Sequence, residues 1–94
     1  MNRVFKALGH PVRRQVLDLL RDGPRTAGEL AEAFDVAKPT MSGHFNVLKD
    51  ADLILAEREG TTIRYRLNAS VVDEAIAWMM GVFKSETAKQ GDRS

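Results

Sequence analysis

The stretch AKPTMSGHFNVLKDADL, residues 37–53, begins like a loop and continues at helical spacing. Met41, Phe45 and Leu48 recur at i, i+4 and i+7, so a helix starting near Lys38 carries one apolar side. Pro39 fits its first turn, where the missing N–H leaves no hydrogen bond unmade. Lys38, Thr40, Ser42 and Asn46 avoid the apolar stripe, and their placement raises the question of what that polar side touches.

Immediately upstream, Thr26 and Glu29 are spaced as a capping box, in which hydroxyl and carboxylate each satisfy a free N–H at a helix start. Ala27, Leu30, Ala31 and Phe34 follow at helical spacing, giving a short helix that ends near Phe34. Asp35, Val36 and Ala37 then form a tight turn with Val36 as its buried plug. Two short helices joined in this way read as a helix-turn-helix. Gly usually occupies the position of Asp35, so a left-handed backbone with local strain is expected there.

Further out, Val4, Phe5 and Leu8 suggest a first helix stopping at Gly9, and Pro11 opens a second over residues 11–21, with Val12, Val16, Leu19 and Leu20 on one face. Asp22, Gly23 and Pro24 end it. After Asp52 the pattern alternates. Ile63, Tyr65 and Leu67 share one side of a strand and Thr62, Arg64 and Arg66 the other, while Glu59-Gly60 makes a hairpin turn with residues 54–58 as partner strand. From Ser70, VVDEAIAWMMGVF is apolar nearly all round. Val72, Ile76, Met79 and Phe83 form one stripe; Val71, Ala75, Trp78 and Val82 form another. One stripe suits the core of the domain, and the second needs another partner.

The order α-α-α-α-β-β-α predicts a mainly α fold with a small β-hairpin: a dimeric winged helix-turn-helix. The 94 residues read as a single domain, 1–94, with a folded core over about 3–85 and a polar C-terminal tail, SETAKQGDRS, that frays. A domain this short buries only about 60 to 65% of its unfolded surface and gains from a partner subunit. With 44% hydrophobic and 29% charged residues the chain has the composition of a folded soluble domain. It has no Cys, which excludes disulfides, thiolate metal sites and thiol redox sensing. No apolar run approaches the ~18 residues a membrane span needs. The basic N-terminus raises a targeting segment, but Pro11 and the spacing after it suit a folded helix, so a cytoplasmic protein is expected. Net charge is +1, yet residues 1–25 alone sum to +4, with Arg3, Lys6, Arg13, Arg14, Arg21 and Arg25 against Asp18 and Asp22. That segregation fits a basic surface on one side as well as ordinary solvated helix faces.

In order and spacing, ALGHPVRRQVLDLL, TAGELAEAF, AKPTMSGHFNVLKDADLI and EREGTTIRYRLN resemble the ArsR/SmtB family of bacterial winged-helix repressors over residues 3–83. The final AWMMGVF segment is most similar to the SdpR-like autorepressor branch. The resemblance implies a homodimer that binds palindromic double-stranded DNA operators and represses, often its own operon. It places the polar face of the helix at Lys38 in a major groove, where N-terminal residues read bases and free N–H groups favour phosphate. Lys38, Pro39, Thr40, Ser42, Gly43 and Asn46 are the candidates there, Pro39 by apolar contact and Gly43 by backbone alone. In the wing, Arg58, Thr61, Thr62 and Arg64 flank Gly60 and can reach a minor groove or its phosphates, whereas Arg66 reads as a solvated charge.

The dimer is expected to form through Val4, Phe5, Val71, Ala75, Trp78, Met79, Val82 and Phe83. Arg13 and Arg14 match the PxRR signature of the family and read as ion-pairing or packing residues. His44 reads as packed and hydrogen-bonded, His10 as a solvent-facing helix-entry residue. The metal sensors of the family use Cys-rich patches on the third helix or Asp/His pairs on the last. The matching segments here hold neither Cys nor His, so no metal and no cofactor is expected. No Ser/His/Asp, HExxH or phosphate-loop spacing appears, which argues against an enzyme. The leading function is a homodimeric, sequence-specific DNA-binding repressor. The alternative is a winged-helix protein-interaction module, or a repressor controlled through sequestration by a partner protein acting as anti-repressor.

Overall fold

A computed structural model describes residues 1–91, with side chains through Lys84. Helix α1 spans Asn2–Leu8 and α2 spans Pro11–Leu19. Between them His10 is extended, and its Nδ1 accepts the N–H of Val12 at 3.1 Å. It is thus the N-cap of α2, satisfying one orphan donor, and not merely a solvent-facing entry residue. The helical pattern read over 11–21 tightens at its end: Leu20–Asp22 form a 3-10 turn closed by Gly23 at φ 137°, a conformation side chains rarely adopt.

Strand β1, Arg25–Thr26, leads directly into helix α3, Ala27–Glu32. The capping box is made in both directions: the N–H of Glu29 donates to Thr26 Oγ1 at 3.1 Å, and the N–H of Thr26 donates to Glu29 Oε1 at 3.0 Å. Helix α4, Lys38–Asp50, carries Pro39 in its first turn. The strain expected at Asp35 is absent, because Asp52, at φ 58°, is the only non-Gly residue with positive φ among the described residues. Asp52 closes α4. Its N–H reaches the carbonyl of Lys49 at 2.8 Å and the N–H of Leu53 reaches that of Leu48 at 3.1 Å, a Schellman ending.

That ending turns the chain into β2, Ile54–Glu59, followed by β3, Thr62–Leu67. The two pair antiparallel from Ile54↔Leu67 to Glu59↔Thr62, so the turn falls on Gly60-Thr61, one residue later than the pattern suggested. The sheet has three strands, not two. β1 pairs on the free edge of β3, Arg25 with Tyr65 and Thr26 with Arg64, giving the order β1-β3-β2. Helix α5, Ala69–Gly91, completes the fold; the end of the expected polar tail, residues 92–94, lies outside the described residues.

The core gathers Val16, Leu30, Met41, Leu48, Leu53 and Ile54, each nearly free of solvent. Phe45 and Tyr65 stack with ring centroids 4.9 Å apart and lock α4 onto the sheet. Such a pair adds about 0.5–1.5 kcal/mol beyond its buried area. Val4 and Ala75, expected in a dimer contact, are each 6% exposed and belong to the core of the protomer itself, because α1 and the first turns of α5 close one end of it.

Candidate nucleic-acid interface

On α4 the apolar spacing turns Met41, Phe45 and Leu48 inward, and His44 is buried beside them. Lys38, Pro39, Thr40, Ser42, Gly43 and Asn46 are all exposed. Five of these six lie in the first two turns, and the helix has no side-chain cap at its N-cap, Ala37. Free N–H groups, a helix-dipole positive end, one cation and two hydroxyls therefore share one surface, a combination suited to phosphate and base edges. A Cβ at Gly43 would meet nothing within 4 Å, so the protomer itself does not require glycine there.

The wing splits into two faces. Residues opposite one another in the ladder share a face, so Arg58 lies with Ile63 on the side that carries Tyr65 and packs toward α4. Arg58, Thr61 and Thr62 are exposed at the tip, and Arg58 belongs to no ion pair among the described residues. The other face is balanced. Arg66 Nε donates to Glu57 Oε1 at 2.8 Å, and Arg64 Nη2 lies 3.9 Å from Glu59 Oε2. Arg64 is half-buried, with its Nε shielded from solvent and unpartnered, and it stands opposite Thr26. Of the two wing arginines, Arg58 presents the freer charge. Glu29 is held below the usual carboxylate range, first by the Thr26 backbone N–H, then by its hydroxyl, with Arg25 and Arg64 adding to the effect.

Arg13 and Arg14 hold α2 to α1, through carbonyl oxygens and not through ion pairs. Arg13 Nε donates to the Ala7 carbonyl at 2.7 Å and its Nη2 to that of Lys6 at 3.0 Å; Arg14 Nη1 donates to the Leu8 carbonyl at 2.7 Å. The Ala7 and Leu8 carbonyls are ones that the end of α1 leaves without helical partners, while that of Lys6 also accepts the N–H of Gly9 at 3.1 Å. The remaining Arg13 nitrogen, Nη1, lies 3.3 Å from His44 Nδ1, and the His44 ring stands 4.4 Å from that of His10. The residue types at 10, 13 and 44 carry no sign of this meeting, since the positions are far apart in the chain.

Along α5, burial stops after Ala75. Ile76 (53%), Trp78 (51%), Met79 (39%), Met80 (58%), Val82 (39%) and Phe83 (60%) are exposed, while Val71 is half-buried. Phe5 meets Trp78 with centroids 5.0 Å apart, so the exposed end of α5 is continuous with α1. Ile76, placed by its spacing on the core stripe, and Met80, placed on neither stripe, join this surface because the helix outruns the domain it packs on. Among the described residues, no group of three or more His, Cys, Asp or Glu could hold a metal ion, and no helix is long and apolar enough to cross a membrane.

The family model for helix-turn-helix domains matches residues 8–57. Over 80 residues the chain is 49% identical to the transcriptional repressor SdpR of Bacillus subtilis (strain 168), an overlap covering 85% of this chain and 89% of SdpR. The crystal structure of an ArsR family transcriptional regulator superposes with a TM-score of 0.84 at 31% identity, covering 92% of this chain and 89% of the other. The chain belongs to the ArsR/SmtB family. The solution structure of a homodimeric winged helix-turn-helix DNA-binding domain from Mycobacterium bovis, described as a possible ArsR-family transcriptional regulator, matches with a TM-score of 0.71 at 36% identity, covering 88% of this chain and 77% of that one. The ArsR/SmtB assignment makes α3 and α4 the helix-turn-helix, with α4 its second helix and the β2–β3 hairpin its wing.

Proposed function

We propose that this ArsR/SmtB protein is a cytoplasmic, homodimeric transcriptional repressor that binds palindromic double-stranded DNA. α4 enters the major groove, with Lys38, Thr40, Ser42 and Asn46 at base edges or phosphates and Pro39 and Gly43 allowing close approach. Arg58, Thr61 and Thr62 of the wing meet the flanking minor groove or its phosphates. The observation that carries this reading is the exposed, uncapped and polar start of α4 standing on a fully packed base of Met41, Phe45 and Leu48. A rigid element with its polar end free is what sequence reading requires.

The apolar end of α5 supports the dimer. Six large apolar side chains in one region exceed what a monomer ordinarily leaves in water, and a second copy covers them through the same surface on both subunits. Two linked copies then present two reading helices to half-sites about 34–36 Å apart.

Selection of bound fragments from the source genome with the purified protein, followed by affinity measurement at fixed salt, tests the proposal. Lys38→Ala and Thr40→Ala should each weaken binding to the selected duplex by about 1–3 kcal/mol without unfolding the protein. Unchanged affinity in both variants would remove α4 from the reading role.

A further inference from the structure

We infer that Arg13, His44 and His10 form a clasp that positions the reading helix and is sensitive to the protonation of His44, so that duplex affinity falls when the His44 imidazole takes up a proton. The consequence for DNA rests on the function proposed above; the clasp itself does not.

The geometry is a chain of hydrogen bonds that runs from α1 to α4. Arg13 is anchored on α1 by the carbonyls of Lys6 and Ala7, and its remaining nitrogen, Nη1, meets Nδ1 of His44, which is 9% exposed. A guanidinium can only donate, so His44 Nδ1 must accept and the ring must be neutral with its proton on Nε2. His10 uses its own Nδ1 in the same way, accepting the N–H of Val12 to cap α2. The Arg13–His44 hydrogen bond therefore exists only while the His44 ring is unprotonated.

The charge environment gives the same sign. From α2 and its cap, Arg13 and His10 face the His44 ring at 3.3 Å and 4.4 Å centroid distance respectively. From α1 only carbonyl oxygens take part, and no carboxylate pairs with Arg13, His10 or His44 among the described residues. Burial, and then His10 and Arg13, hold His44 below the ordinary histidine range. An unfolded histidine takes up its proton near about pH 6.5. The stability lent by neutral His44 is therefore fully present above that value and is lost as pH falls below it. A protonated His44 would set two positive groups, its own ring and the Arg13 guanidinium, face to face in one half-buried space, and relief comes by moving α4 away from α1 and α2. His44 lies within two turns of Lys38, Thr40 and Ser42, so the displacement reaches the reading surface.

Two measurements test this. In the free protein, backbone amides of residues 38–46 should shift in step with the imidazole titration followed by NMR; amides that stay still while His44 titrates would overturn the clasp. In the second, duplex affinity is compared at about pH 7.5 and about pH 5.5 at fixed salt for the wild type and for the His10→Asn/His44→Asn protein, whose amide oxygens can accept the same donors and do not titrate. The wild type should bind measurably more weakly at the lower pH, and the double variant should lose that dependence. An equal fall in both proteins would also overturn the clasp. A wild type that binds no duplex at about pH 7.5 counts against the proposed function instead, and the amide titration then decides the clasp alone.

Discussion

Asp52 is where the chain accepts a left-handed backbone in order to leave α4 and start the wing. An L residue at that φ costs roughly 1–2 kcal/mol unless its side chain is short and polar. Asp52→Ala should therefore destabilise the protein by about 1 kcal/mol, whereas Asp52→Gly should be neutral or slightly stabilising, a contrast read from urea midpoints. At the start of α3, Thr26→Ala removes the hydroxyl that accepts from Glu29 and should cost about 1 kcal/mol. Because Glu29 is held in its charged form by Thr26, that interaction is present above the carboxylate range of the unfolded chain and is lost as pH falls through it. Because the backbone N–H that contributes most to holding Glu29 charged is unchanged in the variant, wild type and variant should both lose stability in acid. The capping box was legible because both partners lie within three positions of one another. The left-handed residue was not: the turn at Asp35 resembles a place for it, but the Schellman ending at Asp52 depends on how α4 meets β2. Arg13 and Arg14 were equally opaque, since their partners are carbonyls of another helix and carry no residue identity.

At the scale of elements, the hydrophobic periodicity located the five helices and the hairpin among the described residues, with ends shifted by a residue or two except at α5, which runs to Gly91 through most of the stretch expected to fray. It missed β1, because a two-residue strand has no period to detect and its second residue already serves as a helix cap. Pairing with β1 also changes how the wing arginines are read. Arg64, opposite Thr26 and near Glu59, is committed to the scaffold, and Arg58 is free. Arg58→Ala should lower the dependence of log affinity on log salt by about one unit, as expected for one lost phosphate contact, while Arg64→Ala should change that slope less. Equal effects of the two substitutions on the salt slope would show that Arg64 leaves its scaffold position when DNA binds.

Over the whole molecule, the decisive feature is an α5 that extends beyond the core it helps to close. Composition and length alone indicated a domain in need of a partner, and the two apolar stripes indicated where. What they could not say was which residues the protomer keeps, because the end of the core after Ala75 is set by the packing of α1 and the sheet. Trp78 is on the protruding part, beside Phe5. Trp78→Asp should therefore give monomers or aggregates by light scattering and abolish binding to a two-half-site duplex; a folded dimer that still binds would move the subunit contact elsewhere. Thr26, finally, is at once the last residue of β1 and the cap of α3, so the hairpin is joined by backbone hydrogen bonds to the helix-turn-helix itself. The protomer thus works as a ruler with a fixed distance between its helix and its tip. In the binding mode proposed above, DNA whose grooves do not already match that distance must bend or narrow to fit, and the energy of doing so makes bases that no side chain touches part of the recognised sequence.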